Sequence, residues 1–182
     1  MNRINRSALR GFTIIEMLMS MIILAMLMAA VGLAFHASTA SYMVNQDMYE
    51  KINNARQVLL RITSDLRTAQ GVAVLGGGAS QDVDDHRCSL IRANGMDVTY
   101  LHNSNGAASY NGALNNNTLY LIVNGGAQAG HYVLCPNVAD MSFTRATTGS
   151  NVRNVQISMT VTNDDGTGSQ TLNTAAVVRT AQ

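Results

Sequence analysis

Residues 12–35 read FTIIEMLMSMIILAMLMAAVGLAF, an apolar run of about 24 residues, and no other feature of the chain constrains its fold as strongly. As a helix the run spans roughly 36 Å at about 1.5 Å per residue. That is enough to cross a hydrocarbon core of about 30 Å. Arg3, Arg6 and Arg10 precede it, which predicts a cytoplasmic N-terminus and places everything after His36 on the other side. A plain signal-anchor helix satisfies these facts. A cleaved secretory signal competes, because residues 36–40 (HASTA) supply small side chains for cleavage after Ala40. The run is nevertheless longer than the usual h-region of about 7–15 residues.

Glu16 fits neither reading. A carboxylate inside an apolar membrane run costs roughly 2.5–3.5 kcal/mol on insertion scales, less near the membrane edge. Such groups have a partner as a rule, and this run contains no basic residue. A partner from another chain is the economical inference.

The stretch Arg10-Gly11-Phe12-Thr13-Ile14-Ile15-Glu16-Met17-Leu18 resembles the processing site of type IV prepilins and type II secretion pseudopilins. The shared features are a basic leader, a Gly-Phe junction, Glu at the fifth position after the junction, and a long apolar helix. The likeness covers roughly the first 40 residues, and the remainder only in architecture. It implies cleavage by a prepilin peptidase between Gly11 and Phe12, methylation of the new Phe12 amine, and pairing of Glu16 with the Phe12 amine of a neighbouring subunit. The physics agrees, since a carboxylate and an ammonium are each costly in lipid and much less so together. The implied partners are other pilin or pseudopilin subunits, the prepilin peptidase, an inner-membrane assembly platform, and membrane lipid before assembly. The implied location is a single pass of the inner membrane with a periplasmic C-terminal domain, then a periplasmic or cell-surface filament. One departure stands out: many major pilins break this helix with a mid-helix Pro, where this chain has Val31-Gly32-Leu33.

Beyond the membrane, Ile52, Ala55, Leu59, Ile62, Leu66 and Ala69 follow 3-4-3-4-3 spacing, the stripe of an amphipathic helix. If unbroken over residues 12–70, the helix is about 59 residues long and ends at Gly71. Asp65-Leu66-Arg67 followed by Ala69 is similar to a segment of J-class type II secretion pseudopilins and W-class type IV minor pilins. The plainer reading is an exposed Arg61–Asp65 pair at i, i+4 spacing. From Gly71 onward the chain is rich in Gly, Asn, Ser and Thr, and reads as strands between turns. The candidates are residues 72–75, 97–102, 118–123, 131–135, 141–144, 152–162 and 171–180. Val155, Ile157, Met159 and Val161 alternate with polar residues, and Asn163-Asp164-Asp165-Gly166 supplies a hairpin turn. The expected organisation is a leader at 1–11, a transmembrane and filament-core helix at 12–36, an amphipathic helix at 37–70, and a β domain with long loops at 71–182. The fold class is α+β, a long helix laid on an antiparallel sheet.

Cys88 and Cys135 are the only cysteines, and both fall on the non-cytoplasmic side, where a disulfide is expected and two buried thiols are the alternative. Closing a loop of this size gives roughly 4 kcal/mol in the chain-entropy model. Asp82, Asp84 and Asp85, beside His86, are weak Ca²⁺ candidates in a spacing that matches no calcium-loop motif, and a solvated loop is favoured. His36, His86, His102 and His131 show no zinc-ligand spacing. No phosphate-loop or nucleophile motif is present, so neither an enzyme nor a cofactor is expected. With 12 Lys+Arg against 11 Asp+Glu and 13% charged residues, no nucleic-acid surface is expected either. Arg145, Arg153 and Arg179 are too scattered to form one.

These observations converge on a minor pilin or pseudopilin that works by assembly. The minor class rests on Asp65-Leu66-Arg67 and on the lack of a C-terminal disulfide pair. A membrane-anchored adhesive or DNA-uptake module is the alternative.

Overall fold

The computed structural model describes residues 11–76, 82–104, 114–148, 151–164, 166 and 168–179. The chain divides into two compact units, Met1–Asn45 and Gln46–Gln182. One α-helix, α1 (Ile14–Thr68), contributes to both.

Between Met17 and Phe35 α1 carries almost only apolar side chains on every side and buries none of them: Leu24 is 56% exposed, Met26 68% and Leu33 75%. A helix of this kind belongs in a membrane or in a protein core. By length and composition α1 can cross a bilayer. Gly32 lies inside the helix without breaking it.

In the second unit α1 becomes one-sided. Ala55, Leu59, Ile62, Leu66 and, just past its end, Ala69 are buried, and Ile52 packs against them. The 3-4 stripe read from the sequence is therefore the face that packs on the sheet. Eight strands follow among the described residues. The first sheet is an antiparallel meander of β1 (Gly71–Val72), β2 (Arg87–Ile91), β3 (Asp97–Asn103), β4 (Thr118–Val123) and β5 (Gly130–Cys135), in that order. The second contains β6 (Val138–Thr148), β7 (Asn151–Thr162) and β8 (Ser169–Val177), also antiparallel and in order. The architecture is α+β, a long N-terminal helix packed on antiparallel sheet.

The division into two sheets has a local cause. Pro136 lacks a donor and restricts Cys135 before it, and Asn137 follows with a φ of 58° in the left-handed region. The ladder cannot continue from β5 into β6. The Val138 N–H turns instead to the Asn117 carbonyl at 2.8 Å, and β6 begins a new sheet. Both sheets line one core with the helix. Tyr100, Leu119 and Leu121 come from the first, and Met141, Phe143, Val155 and Ile157 from the second. The outer face of the first sheet carries a small cluster of Leu101, Tyr120 and Ile122 under Leu114.

Most sequence expectations for strands correspond to observed ones. Of the segment expected at 72–75 only Val72 lies in a strand, β1, and Leu75 forms an isolated bridge to Asp82. Strand β2 was not anticipated. The β7–β8 hairpin was, and its turn closes with the Asn163 N–H donating to Gly168 O at 3.0 Å and Gly166 at a φ of 71°. Thr180, the last residue of the strand expected at 171–180, lies outside the described residues, as does Asp165.

Candidate functional site

The first unit presents the segment that the sequence singles out. Gly11, Phe12 and Thr13 are not helical, and α1 starts at Ile14. Thr13 is the N-cap: its Oγ1 accepts from the Glu16 N–H at 3.3 Å, while its carbonyl accepts from the Met17 N–H at 3.2 Å. Thr13-Ile14-Ile15-Glu16 thus has the T-x-x-E spacing of a capping box. Glu16 sits in the first turn, where its charge complements the positive end of the helix dipole. Both Phe12 and Glu16 are exposed. The result is a short non-helical junction followed by a defined helix start with a carboxylate on it.

In the second unit polar clusters join elements that are distant in sequence. The first corrects the expected surface pair. Asp65 does not pair with Arg61. It accepts from Arg92 Nε at 2.9 Å and Arg92 Nη2 at 2.5 Å, and the Tyr100 hydroxyl donates to the same oxygen, Oδ2. Burial, and then the bond to Asp65, push the Tyr100 hydroxyl well above its ordinary pKa. Asp65 therefore ties the last turn of α1 to the β2–β3 hairpin.

The second cluster corrects the solvated loop favoured for the weak Ca²⁺ candidates Asp82, Asp84 and Asp85, because Asp82 is buried. Asp82 is already saturated. It pairs with Arg145 Nη2 at 2.5 Å, both side chains being 2% exposed, and accepts from the Ser89 N–H at 2.9 Å and the Ser89 hydroxyl at 2.7 Å. Arg145 also donates to the carbonyl oxygens of Arg87 and Phe143. Asp84 accepts from the His86 N–H at 3.1 Å, a local turn bond, and the Asp85 side chain is 55% exposed. The three carboxylates do not converge on one point. The same geometry removes Arg145 from any surface patch, because it lies inside, spanning from β6 to the start of β2.

The third cluster anchors the β7–β8 turn. Lys51 on α1 donates to Asp47 at 2.9 Å and to Asp164 at 2.6 Å, and Asn137 Nδ2 donates to Asp164 at 2.5 Å.

The expected disulfide is also overturned. Cys88 and Cys135 are free and buried. Cys88 lies on β2 opposite Tyr100, whereas Cys135 lies on β5 opposite Leu119. Strands β3 and β4 intervene, so the two cysteines are three strand spacings apart, about 14 Å at about 4.8 Å each. A disulfide needs Cα atoms closer than about 7 Å. Burial pushes the Cys88 thiol up to about 12 and the Cys135 thiol up to about 11.

The sequence reading also missed a cluster of His86, His102 and Asp140, whose potential ligand atoms lie within 4.8 Å of one another. None of these residues has zinc-motif spacing in sequence, because strand pairing and not helical periodicity brings them together.

The prokaryotic N-terminal methylation motif, the signal of type IV pilins, matches residues 6–32. The matched span contains the Gly11-Phe12 junction, the Thr13 cap and Glu16. No curated protein and no solved structure matches the chain. The chain thus carries the signal of a protein processed by prepilin peptidase that assembles with other pilin subunits, on a type IV pilin-like α+β architecture.

Proposed function

We propose that the chain is a minor pilin or pseudopilin, a structural subunit that primes or joins a type IV pilus or a type II secretion pseudopilus. Prepilin peptidase cuts between Gly11 and Phe12, and the Phe12 amine is then methylated. Residues 12–36 hold the subunit in the inner membrane with the leader on the cytoplasmic side and the β domain in the periplasm. Inner-membrane assembly machinery then draws the subunit into a filament. The observation that carries this reading is the methylation motif at 6–32, set on a non-helical Gly11-Phe12 junction one residue before a Thr13-capped helix.

Glu16 is the register element. The new ammonium at Phe12 of an incoming subunit and the Glu16 carboxylate of its neighbour are each expensive in an apolar filament core and much cheaper as a pair. A subunit out of register leaves both unpaired. The apolar face that α1 exposes in the first unit is covered first by lipid and then by the equivalent helices of other subunits. Nothing in this scheme requires catalysis by the subunit itself.

The test is Glu16→Ala in the native cell. The variant is expected to insert into the membrane and be cleaved, yet to be absent from sheared filaments. Normal incorporation would contradict the role given to Glu16. Burial of Arg145 weighs against the adhesive or DNA-uptake alternative, since it removes one of the few cations such a surface would use.

A further inference from the structure

The carbonyl of His86 accepts from the His102 N–H at 3.0 Å, which extends the β2–β3 ladder one step beyond the Arg87–Leu101 pair. His86 and His102 are therefore cross-strand neighbours. By alternation they share the face of Cys88 and Tyr100, the face turned to the core and to β6. Their rings lie 5.8 Å apart, edge to face. Asp140 on β6 completes the group, its Oδ1 being 3.9 Å from His86 Nδ1. It stands at a register shift between Val138 and Asp140, an irregularity of the kind that re-aims a side chain.

The protonation pattern of the two rings is what marks the group. His102 is fully buried, and its Nε2 lies 2.8 Å from the Val138 carbonyl. A carbonyl can only accept, so Nε2 carries the proton and Nδ1 is left with a lone pair. That Nδ1 is buried with no hydrogen-bond partner. His86 repeats the arrangement, with Nδ1 donating to the Met141 carbonyl at 2.7 Å and Nε2 left as the lone-pair nitrogen. An imidazole whose far N–H is fixed on a backbone carbonyl is oriented and made more basic as a metal ligand. An orphaned buried nitrogen is otherwise an unexplained cost.

We propose that His86, His102 and Asp140 form a site for a divalent transition metal ion of the zinc class. Two imidazole nitrogens and one carboxylate suit such an ion better than Ca²⁺ or Mg²⁺, which take oxygen ligands. Tetrahedral zinc with bonds of about 2.0–2.1 Å sets its ligand atoms about 3.3 Å apart. Asp140 Oδ1 stands 3.9 Å from Nδ1, the His86 nitrogen that donates to Met141, so closing the cluster from within 4.8 Å to that spacing requires the carboxylate, whose side chain is 65% exposed, to swing toward Nε2 while the ring stays on the Met141 carbonyl. Asp85 Oδ1, 3.9 Å from His86 Nε2, or water supplies the fourth ligand. The ion joins the first sheet to the second at the end opposite the β2–β3 hairpin. Its role is a cross-link of the β domain, and it is independent of how the N-terminal segment is processed.

The experiment uses the full chain in detergent, stripped with chelator and titrated with Co²⁺ and then Zn²⁺. One equivalent of Co²⁺ per chain is expected, with the visible bands of a four-coordinate site, displaced by Zn²⁺ together with a rise in melting temperature. Asp140→Asn and His86→Gln each weaken Zn²⁺ binding at least tenfold, whereas Asp84→Asn leaves it unchanged. Asp140 is exposed, so the metal-free melting temperature of Asp140→Asn stays near that of the wild type and separates loss of ligand from loss of fold. Absence of saturable uptake overturns the proposal, as does binding that survives both substitutions or that is lost equally in Asp84→Asn.

Discussion

Arg92 sends both Nε and Nη2 to a single oxygen of Asp65, at 2.9 and 2.5 Å, across the join between the last turn of the helix and the first hairpin. The Tyr100 hydroxyl donates to that same oxygen. Side-chain exposure is 20% for Arg92 and 21% for Asp65, so the group is shielded from water without being sealed from it. The apolar stripe fixes which face of the helix meets the sheet. This clamp fixes where along the sheet the helix ends, which apolar contact alone leaves loose.

Asp65→Ala is therefore expected to cost about 1–3 kcal/mol of stability, the range for removing a partner from charged hydrogen bonds. A double-mutant cycle with Arg92→Ala in chemical denaturation should give a coupling of about 0.5–3 kcal/mol. Additive single effects would show that the pair does not act as a clamp.

The Asp82–Arg145 pair is the more sensitive one. Both side chains are 2% exposed, and removing either partner leaves a charge in the core. Asp82→Ala should destabilise by about 3–5 kcal/mol, and Arg145→Met in the same chain should recover part of the loss. Thermal melts of the single and double variants decide this. A double variant less stable than Asp82→Ala contradicts the account.

The cysteines should behave as two buried thiols. Neither should react with a thiol reagent in the folded chain, both should react in denaturant without reductant, and reducing agent should leave the melting temperature unchanged. Burial raises the Cys135 thiol from its ordinary 9.0 to about 11. The unfolded chain therefore loses this proton first, so the contribution is complete below pH 9 and is lost as pH rises toward 11. Melting temperature should fall more steeply over that window in the wild type than in Cys135→Ala.

Periodicity made much of the fold readable. The 3-4 spacing from Ile52 to Ala69 found the helix face in the core, and the alternation of Val155, Ile157, Met159 and Val161 found β7. Strand β2 carried a readable signal that went unused. Cys88 and Leu90 alternate, and Asn94-Gly95, with Gly95 at a φ of 79°, is the turn chemistry of the hairpin that follows. The clamps were of another kind. Asp65 meets Arg92 at a separation of 27 residues and Asp82 meets Arg145 at 63. Such pairs depend on strand register and on how the two sheets meet, which no local spacing encodes. The disulfide expectation failed for the same reason, since two cysteines reveal nothing of how many strands lie between them.

At the helix start, the register role proposed for Glu16 and a capping role can be separated by substitution. Glu16→Gln keeps a side chain suited to the third position of the capping box but removes the charge. Thr13→Ala keeps the charge and loses the cap, at about 0.5–2 kcal/mol. If the charge sets register, Glu16→Gln blocks filament incorporation while Thr13→Ala permits it. The reverse pattern, read by immunoblot of sheared filaments, would make capping the function of Glu16.

The central claim is that the chain is a processed subunit, and the intact mass and N-terminal residue of the protein recovered from its native membrane test it most directly. The expected species is a chain beginning at N-methylated Phe12, with residues 1–11 removed. A chain still beginning at Met1 in cells with active prepilin peptidase, or one beginning at Ser41, would contradict it.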